Sequence, residues 1–531
     1  MPIGYFSLIL HAHLPFVRHP EYPEFLEEDW LFEAITEVYL PLIFIFQNLH
    51  ESGAKPRLAM NISPPLCEML ADKLLETRYT KHLENLLELA RKEVERTVRE
   101  APEFYDVAQM YVRNLSSSLA LWNDKYKRNL INAFRELQEE DILEIITCGA
   151  THGFLPLIST EEAKRAQIEI AVKNYKKHFG RQPRGIWLPE CAYENGIEAL
   201  LKNAGIEYFI GDSHAVLYGE PRPRYGVHAP VACPNGVAVF ARDIETSQQV
   251  WSAEVGYPGN AAYREFYRDI GWDLPLEYLK PHLHKDGNRR HLGLKYYRIT
   301  GRDVPTDKKQ PYIPELARRK VAEDAADFVG KRIEQAYKLH ETFSGQPPFV
   351  VSPYDAELYG HWWFEGPQFL DFLFRELHYK KDVVRAISPG DFLEANIPIQ
   401  IQKPSASSWG ENGYYKVWLN EKNDWMYPYQ HDVEKRMTEF ANQFVEPKEI
   451  ERRALNQMAR ELLLAQSSDW AFQIYQGTTV QYSSLRFKSH IHRFNLLAEQ
   501  IVNGDINEEL LTEIENRDNI FQEIDFRIYQ S

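Results

Sequence analysis

Short apolar runs alternate along the first two thirds of the chain with longer stretches in which apolar residues return every three or four positions. The first run covers 3–10 and stops at His11; others cover 56–62, 142–147, 184–188, 207–210 and 348–351. Unbroken apolar runs of this length predict strands buried on both faces, which is how a parallel sheet reads. Between them, 81–99 and 161–178 carry a helical period. Strands alternating with helices predict a βα barrel or a doubly wound sheet.

Two stretches break the rhythm. Residues 218–235 are rich in Pro and Gly and contain Pro221-Arg222-Pro223-Arg224-Tyr225-Gly226. They predict a mobile surface loop, of a length that is often functional. Residues 253–312 have little periodicity and many aromatic and charged residues, which predicts an elaborated rim. Beyond about residue 400, helical patterns at 431–445, 448–466, 483–503 and 507–517 take over. The expected organisation is a catalytic domain at 1–400, with an insertion around 191–250, and an α-helical C-terminal domain at 401–531.

Composition narrows the class. A chain of 531 residues exceeds one ordinary core. The formal net charge of -16 argues against a nucleic-acid partner, whose phosphates would be repelled. Aromatic residues make up 13%, enough to line a long cleft as well as fill a core. The four cysteines, Cys67, Cys148, Cys191 and Cys233, form no CxxC pair, so neither a zinc knuckle nor a disulfide framework is indicated. The first residues lack a basic region and a small-residue cleavage site. The longest apolar run, 39–46, is too short for a bilayer. A soluble, cytoplasmic protein with no membrane partner is expected.

In βα folds, chemistry gathers at the C-terminal ends of the strands. Four predicted strand ends carry polar residues that a core would not choose. At His11-Ala12-His13-Leu14-Pro15, two histidines two apart share one side of a strand. Binding a metal, holding a sugar hydroxyl and satisfying neighbouring backbone all remain open there. At Gly149-Ala150-Thr151-His152-Gly153, glycines frame a histidine and permit close backbone approach. At Trp187-Leu188-Pro189-Glu190, an apolar strand delivers a carboxylate, a residue rarely buried unless paired or functional. At Ser352-Pro353-Tyr354-Asp355, another strand does the same, followed by His361-Trp362-Trp363. Glu190 also reads as an acidic residue at a helix start, and Asp355 as a helix N-cap. Two carboxyls in matching contexts are what glycosidic chemistry requires: one acid protonates the departing oxygen, the other attacks the anomeric carbon or activates water.

These segments, with Ser468-Asp469-Trp470, resemble glycoside hydrolase family 57 in order and along essentially the whole chain, and within it the enzymes that branch α-1,4-glucans. The resemblance implies a distorted (β/α)7 barrel with a small inserted domain and an α-helical C-terminal domain. It implies a retaining double displacement on α-glucan, with no metal or other cofactor, that ends in transfer to a 6-hydroxyl. Glu190 matches the family's nucleophile and Asp355 its general acid/base. His11, His13 and His152 match residues lining the sugar subsite at the cleavage point. Arg264, Trp272, Trp362, Trp409 and Asp469 look like cleft positions, with Trp30 and Trp418 as further candidates. The segment 218–235 matches by position a loop that closes over the site, with Tyr225 as a candidate tip.

Three other readings stand beside this one. An α-amylase or 4-α-glucanotransferase would use the same carboxyls with a different acceptor. A metal-dependent polysaccharide deacetylase would use the histidine pair as ligands. A glucan-binding protein without turnover would keep only the cleft.

Overall fold

The computed structural model describes residues 2–252, 255–301 and 303–531. Its strands are β1 (Gly4–Ala12), β2 (Leu58–Ile62), β3 (Leu143–Ile146), β4 (Gly185–Trp187), β5 (Tyr208–Gly211), β6 (Val231–Ala232), β7 (Ala238–Ala241), β8 (Phe349–Asp355), β9 (Val384–Ala386) and β10 (Gln400–Ile401). All six strands predicted from apolar runs are present.

Seven of them form a parallel wall in the order β8-β1-β2-β3-β4-β5-β7. The join between β3 and β4 is a single bridge, where Thr147 N donates to Gly185 O at 3.1 Å and Trp187 N to Thr147 O at 2.8 Å. At the last seam, Asp243 N donates to Val351 O at 2.9 Å and the rings of Phe240 and Phe349 meet at 5.4 Å. β6 runs antiparallel to β7 and carries β10 on its other edge, while β9 pairs with the lower half of β1. This is a distorted (β/α)7 barrel.

The pleat decides what the barrel encloses. Tyr5 and Ile9 of β1 point inward with Ala59, Ile146, Trp187, Ile210, Phe349 and Val351 into one apolar cluster. Phe6, Leu8 and Leu10 point outward into the larger core against the helices. Side chains alternate with period two. The inward row therefore continues from Tyr5 through Ile9 to His11, and from Phe349 through Val351 to Asp355. The register pairs His11 with Asp355 on one side and with Asn61 on the other.

Segment 218–235 differs from the expected mobile loop. It contains β6, and Glu220 is hydrogen-bonded both ways to Lys403, at 3.0 and 2.8 Å. Gln400 Nε2 donates to Arg222 O at 2.9 Å, and Tyr225 packs on Phe343 with ring centres 4.6 Å apart. Backbone pairing and ring packing pin the segment beside β10.

After β10 the chain is helical, with helices Tyr427–Gln443, Glu449–Ala465, Ser468–Gln476, Val480–Asn503 and Glu508–Arg517. They dock on the barrel through polar groups. Glu434 accepts from Ser159 N at 2.7 Å and Gln466 Nε2 at 2.9 Å, and Gln167 Nε2 donates to Gln466 Oε1 at 3.0 Å. The division at about residue 400 and the insertion around 191–250 are proposals. β10 sits at the first boundary, and β5 and β7 of the barrel wall lie inside the second segment.

Candidate active site

The C-terminal mouth of the barrel opens into a cleft of about 1040 Å³. Glu190 and Asp355 both line it, as do His11, His13, His152, Trp30, Trp362, Trp409, Trp418 and Asp469.

Strained backbone delivers one side of the cleft. Glu190, Cys191 and His152 hold φ of 59°, 49° and 59°, in the left-handed region that non-glycine residues avoid. Each costs about 1–3 kcal/mol and persists only where the surroundings over-determine it. Glycines provide the room. A Cβ on Gly149 would lie 2.8 Å from Pro189, and one on Gly153 2.8 Å from Gln167 Nε2. The close approach expected from the glycines around His152 is thus between the β3 and β4 ends and the helix Glu161–Phe179.

Glu190 is held at both oxygens. Ser468 Oγ donates to Oε1 at 2.7 Å and Trp409 Nε1 to Oε2 at 2.7 Å. The Trp409 backbone N–H also donates to Glu190 O at 3.0 Å. Burial pushes the Glu190 carboxyl up to about 7, against the pull of these two donors. Among the described residues, Asp355 has no such side-chain hydrogen bond. Burial, then the charges of Glu357, Glu190 and Asp469, hold its carboxyl well above the usual carboxylate range. Glu357, fixed by Tyr39 OH at 2.6 Å, is also pushed up to about 7 by burial. The environment therefore favours charge on Glu190 and a proton on Asp355.

The histidines form a stacked group. His13 lies on His152 at 3.9 Å with a 12° tilt, and His11 lies on Trp187 at 4.5 Å and 9°. His13 Nδ1 is 2.8 Å from Ser63 Oγ, and Nε2 is 3.1 Å from Asp469 Oδ2. Burial resists charge on Asp469, but the His13 pairing and its hydrogen bonds hold its carboxyl below the usual value. Burial pushes His11 and His152 well below the ordinary histidine range, so both rings are neutral. His11, Cys148 and His152, and also His13, His152 and Asp469, are close enough to share a cation. Each ring nitrogen of these three histidines already has a protein partner, which a cation would have to displace.

Two expected positions lie off the cleft wall. Arg264 is buried behind it, with Nη1 3.2 Å from Tyr111 OH and 4.0 Å from Glu37 Oε1, and its guanidinium 4.1 Å from the Phe364 ring centre. Glu37 in turn holds His361 Nδ1 at 2.6 Å, and His361 does line the cleft. Trp272 is half exposed on the rim and packs on His291. The segment 218–235 contributes no lining residue.

The structure adds residues that the motifs did not single out. Trp251 faces the cleft 6.2 Å from Trp362, and Arg242 lines it while paired to Asp212 at 2.6 Å. Phe472, Gln473 and Tyr475, from the helix Ser468–Gln476, form the facing wall. Asn61 was visible in sequence as the one amide in a strand that is otherwise apolar, Leu58–Ile62.

Comparison with known proteins places this geometry. Residues 7–331 match the model of glycosyl hydrolase family 57, and residues 429–529 match a model described as 1,4-alpha-glucan branching enzyme, C-terminal. A 1,4-alpha-glucan branching enzyme of Thermococcus kodakarensis is 35% identical, over 98% of this chain and 78% of the relative. The solved structure of the alpha-amylase AmyC from Thermotoga maritima superposes with a TM-score of 0.94 at 45% identity, covering 99% of both chains. That of a GH57-type branching enzyme from Pyrococcus horikoshii superposes with 0.87 at 35% identity, covering 100% of this chain and 97% of the other.

Proposed function

The chain belongs to glycosyl hydrolase family 57, and from that premise we propose that it is a 1,4-α-glucan branching enzyme, acting on α-glucan by a retaining double displacement. The observation that carries the branching reading is the origin of the cleft's far wall. Asp469, Phe472, Gln473 and Tyr475 come from the region that matches the branching-enzyme C-terminal model.

The chemistry follows from the two carboxyls. Protonated Asp355 gives its proton to the glycosidic oxygen while ionised Glu190 attacks the anomeric carbon. The transferred chain is then held as an ester on Glu190. Once that charge is gone, the carboxyl of Asp355 loses a neighbour that raised its pKa. As a base, Asp355 takes the proton from a glucan 6-hydroxyl, which displaces Glu190 and leaves an α-1,6 branch. Trp30, Trp251, Trp362 and Trp409 give the flat apolar faces on which sugar rings stack. The histidines and Asp469 hold hydroxyls at the cleavage point.

The enzyme works in the cytoplasm in building a branched storage glucan. Its four cysteines are unpaired and buried, and among the described residues no helix is long and apolar enough to cross a membrane. Membership in the family sets aside the deacetylase reading.

Hydrolysis is the second reading, favoured by a specific feature: segment 218–235 is pinned beside β10 and does not cover the cleft. Water exclusion then rests on the aromatic walls alone. One assay separates the two. Amylose is incubated with the protein, and iodine colour, reducing ends and linkages are followed together. Branching lowers the colour and creates α-1,6 linkages with few new reducing ends. Reducing ends rising in step with colour loss, without α-1,6 linkages, reject it.

A further inference from the structure

Four side chains connect Glu190 to the inside of the barrel. Asn61 Oδ1 lies 2.6 Å from His11 Nδ1, and His11 Nε2 lies 3.0 Å from His152 Nε2. His152 Nδ1 lies 2.8 Å from Ser468 Oγ, which lies 2.7 Å from Glu190 Oε1. All five residues are buried. Trp187 covers one ring and His13 the other, so neither histidine turns over freely.

A neutral imidazole has one N–H and one bare nitrogen. In a closed chain, the hydrogen at one end therefore fixes every other. Asn61 sets that end. Its Nδ2 faces the Ile146 carbonyl at 3.4 Å, which leaves Oδ1 to accept from His11 Nδ1–H. His11 Nε2 is then bare, and His152 carries its hydrogen on Nε2. His152 Nδ1 is bare and takes the Ser468 hydroxyl hydrogen. Ser468 Oγ is left as an acceptor toward Glu190 Oε1, so this polarity suits a protonated Glu190.

An ionised Glu190 needs the reverse. The three links from Glu190 to His11 survive only if each proton moves one place toward Asn61. The Glu190 carboxyl proton goes to Ser468 Oγ, and the Ser468 hydrogen goes to His152 Nδ1. The His152 Nε2 hydrogen goes to His11 Nε2. Burial keeps the His11 ring neutral, so His11 gives up its Nδ1 hydrogen to solvent: one proton leaves in all, Glu190 ends as a carboxylate, and the link between bare His11 Nδ1 and Asn61 Oδ1 is lost. We propose that Asn61, His11, His152 and Ser468 form a proton relay that couples ionisation of Glu190 to the tautomer of His152, with Asn61 as its anchoring positioning residue. This rests on the reading of Glu190 as nucleophile.

The groups around the relay tune its two states. Burial favours the neutral chain. Asp469 on the helix Ser468–Gln476 adds negative charge beside it, Asp355 at the end of β8 stays protonated, and His13 stacks on His152. The thiols of Cys148 and Cys191 are held neutral by burial, and Trp409 Nε1–H keeps Glu190 Oε2 supplied in both states. Breakdown of the ester returns the carboxylate, and with it the ionised polarity of the chain.

The test is nitrogen NMR on the full-length enzyme labelled at the histidine rings, with His152 assigned by loss of its signals in His152→Gln. Below the acid limb of the kcat/KM profile, His152 is expected to carry its proton on Nε2; above it, on Nδ1, with the same midpoint. Asn61→Leu removes the anchor, so ionised Glu190 no longer strands a link, and its acid limb falls by about 0.7 pH unit. A His152 tautomer that stays constant across the limb overturns the relay. So does a slower Asn61→Leu enzyme with an unmoved limb. If Asn61→Leu does not fold, the wild-type spectra decide alone. Failure of the nucleophile reading is separate: it shows as turnover retained by Glu190→Gln.

Discussion

Ser468 Oγ lies 2.7 Å from Oε1 of Glu190, although 278 residues separate them in the chain. The helical region after the barrel therefore supplies a donor to the carboxylate proposed as nucleophile. Ser468 N also donates to His152 O at 3.0 Å, which ties the same contact to the end of β3.

Removal of either carboxyl is expected to separate their roles. Glu190→Gln should cut turnover of amylose by about 10⁴-fold or more, with unchanged circular dichroism. Asp355→Asn should lose about 10²–10⁴-fold. An α-maltosyl fluoride needs no protonation to leave, so it should restore the first step in Asp355→Asn alone. Rescue of Glu190→Gln by that substrate would reverse the assignment.

The pH profile follows from the same pair. Glu190 must be ionised, so activity should rise through about pH 7, where burial places its carboxyl. Asp355 must be protonated, so activity should fall at higher pH as its raised carboxyl ionises. Ser468→Ala removes a donor to the ionised form of Glu190, raises that pKa and moves the acid limb up by about 1–2 pH units. Trp409→Phe keeps a ring but loses the Nε1 donor, and should move the limb the same way. A limb displaced downward in either variant would contradict the hydrogen bonding at Glu190.

Arg264 is expected to act through stability. Arg264→Met leaves Glu37 without its buried guanidinium neighbour. Breaking a buried pair from one side costs about 3–5 kcal/mol. Chemical unfolding should register that loss, while KM for amylose stays as in the wild type. A large rise in KM with unaltered unfolding would place the guanidinium in contact with sugar.

Trp251 and Trp362 face the cleft as a tilted pair. Alanine at either position should raise KM for amylose by roughly fivefold, from ~1 kcal/mol of lost stacking. If the pair also excludes water, the ratio of new α-1,6 linkages to new reducing ends should fall in both variants. Unchanged ratios would assign them to chain binding alone.

Much of the fold was legible as pattern. Apolar runs located six strands, because a strand buried on both faces has no room for polar side chains. β7 (Ala238–Ala241) escaped that reading because its short run follows the Pro- and Gly-rich segment. The helix Ser468–Gln476 escaped because it is short and follows the preceding helix after only Gln466 and Ser467, both polar.

The sequence by itself determined which residue types stand at the strand ends. His11, Glu190 and Asp355 each follow an apolar run, His152 lies on the turn beyond another, and the pleat then turns His11 and Asp355 to the inside once the barrel forms. Tertiary structure alone decided who touches whom. The burial that lifts Asp355, the two donors on Glu190 and the tautomer chain back to Asn61 all join residues far apart in the chain. Contact of that kind depends on how barrel and helices dock. So does the placement of Arg264 behind the wall and of 218–235 beside β10, where packing and backbone pairing outweighed what composition suggested.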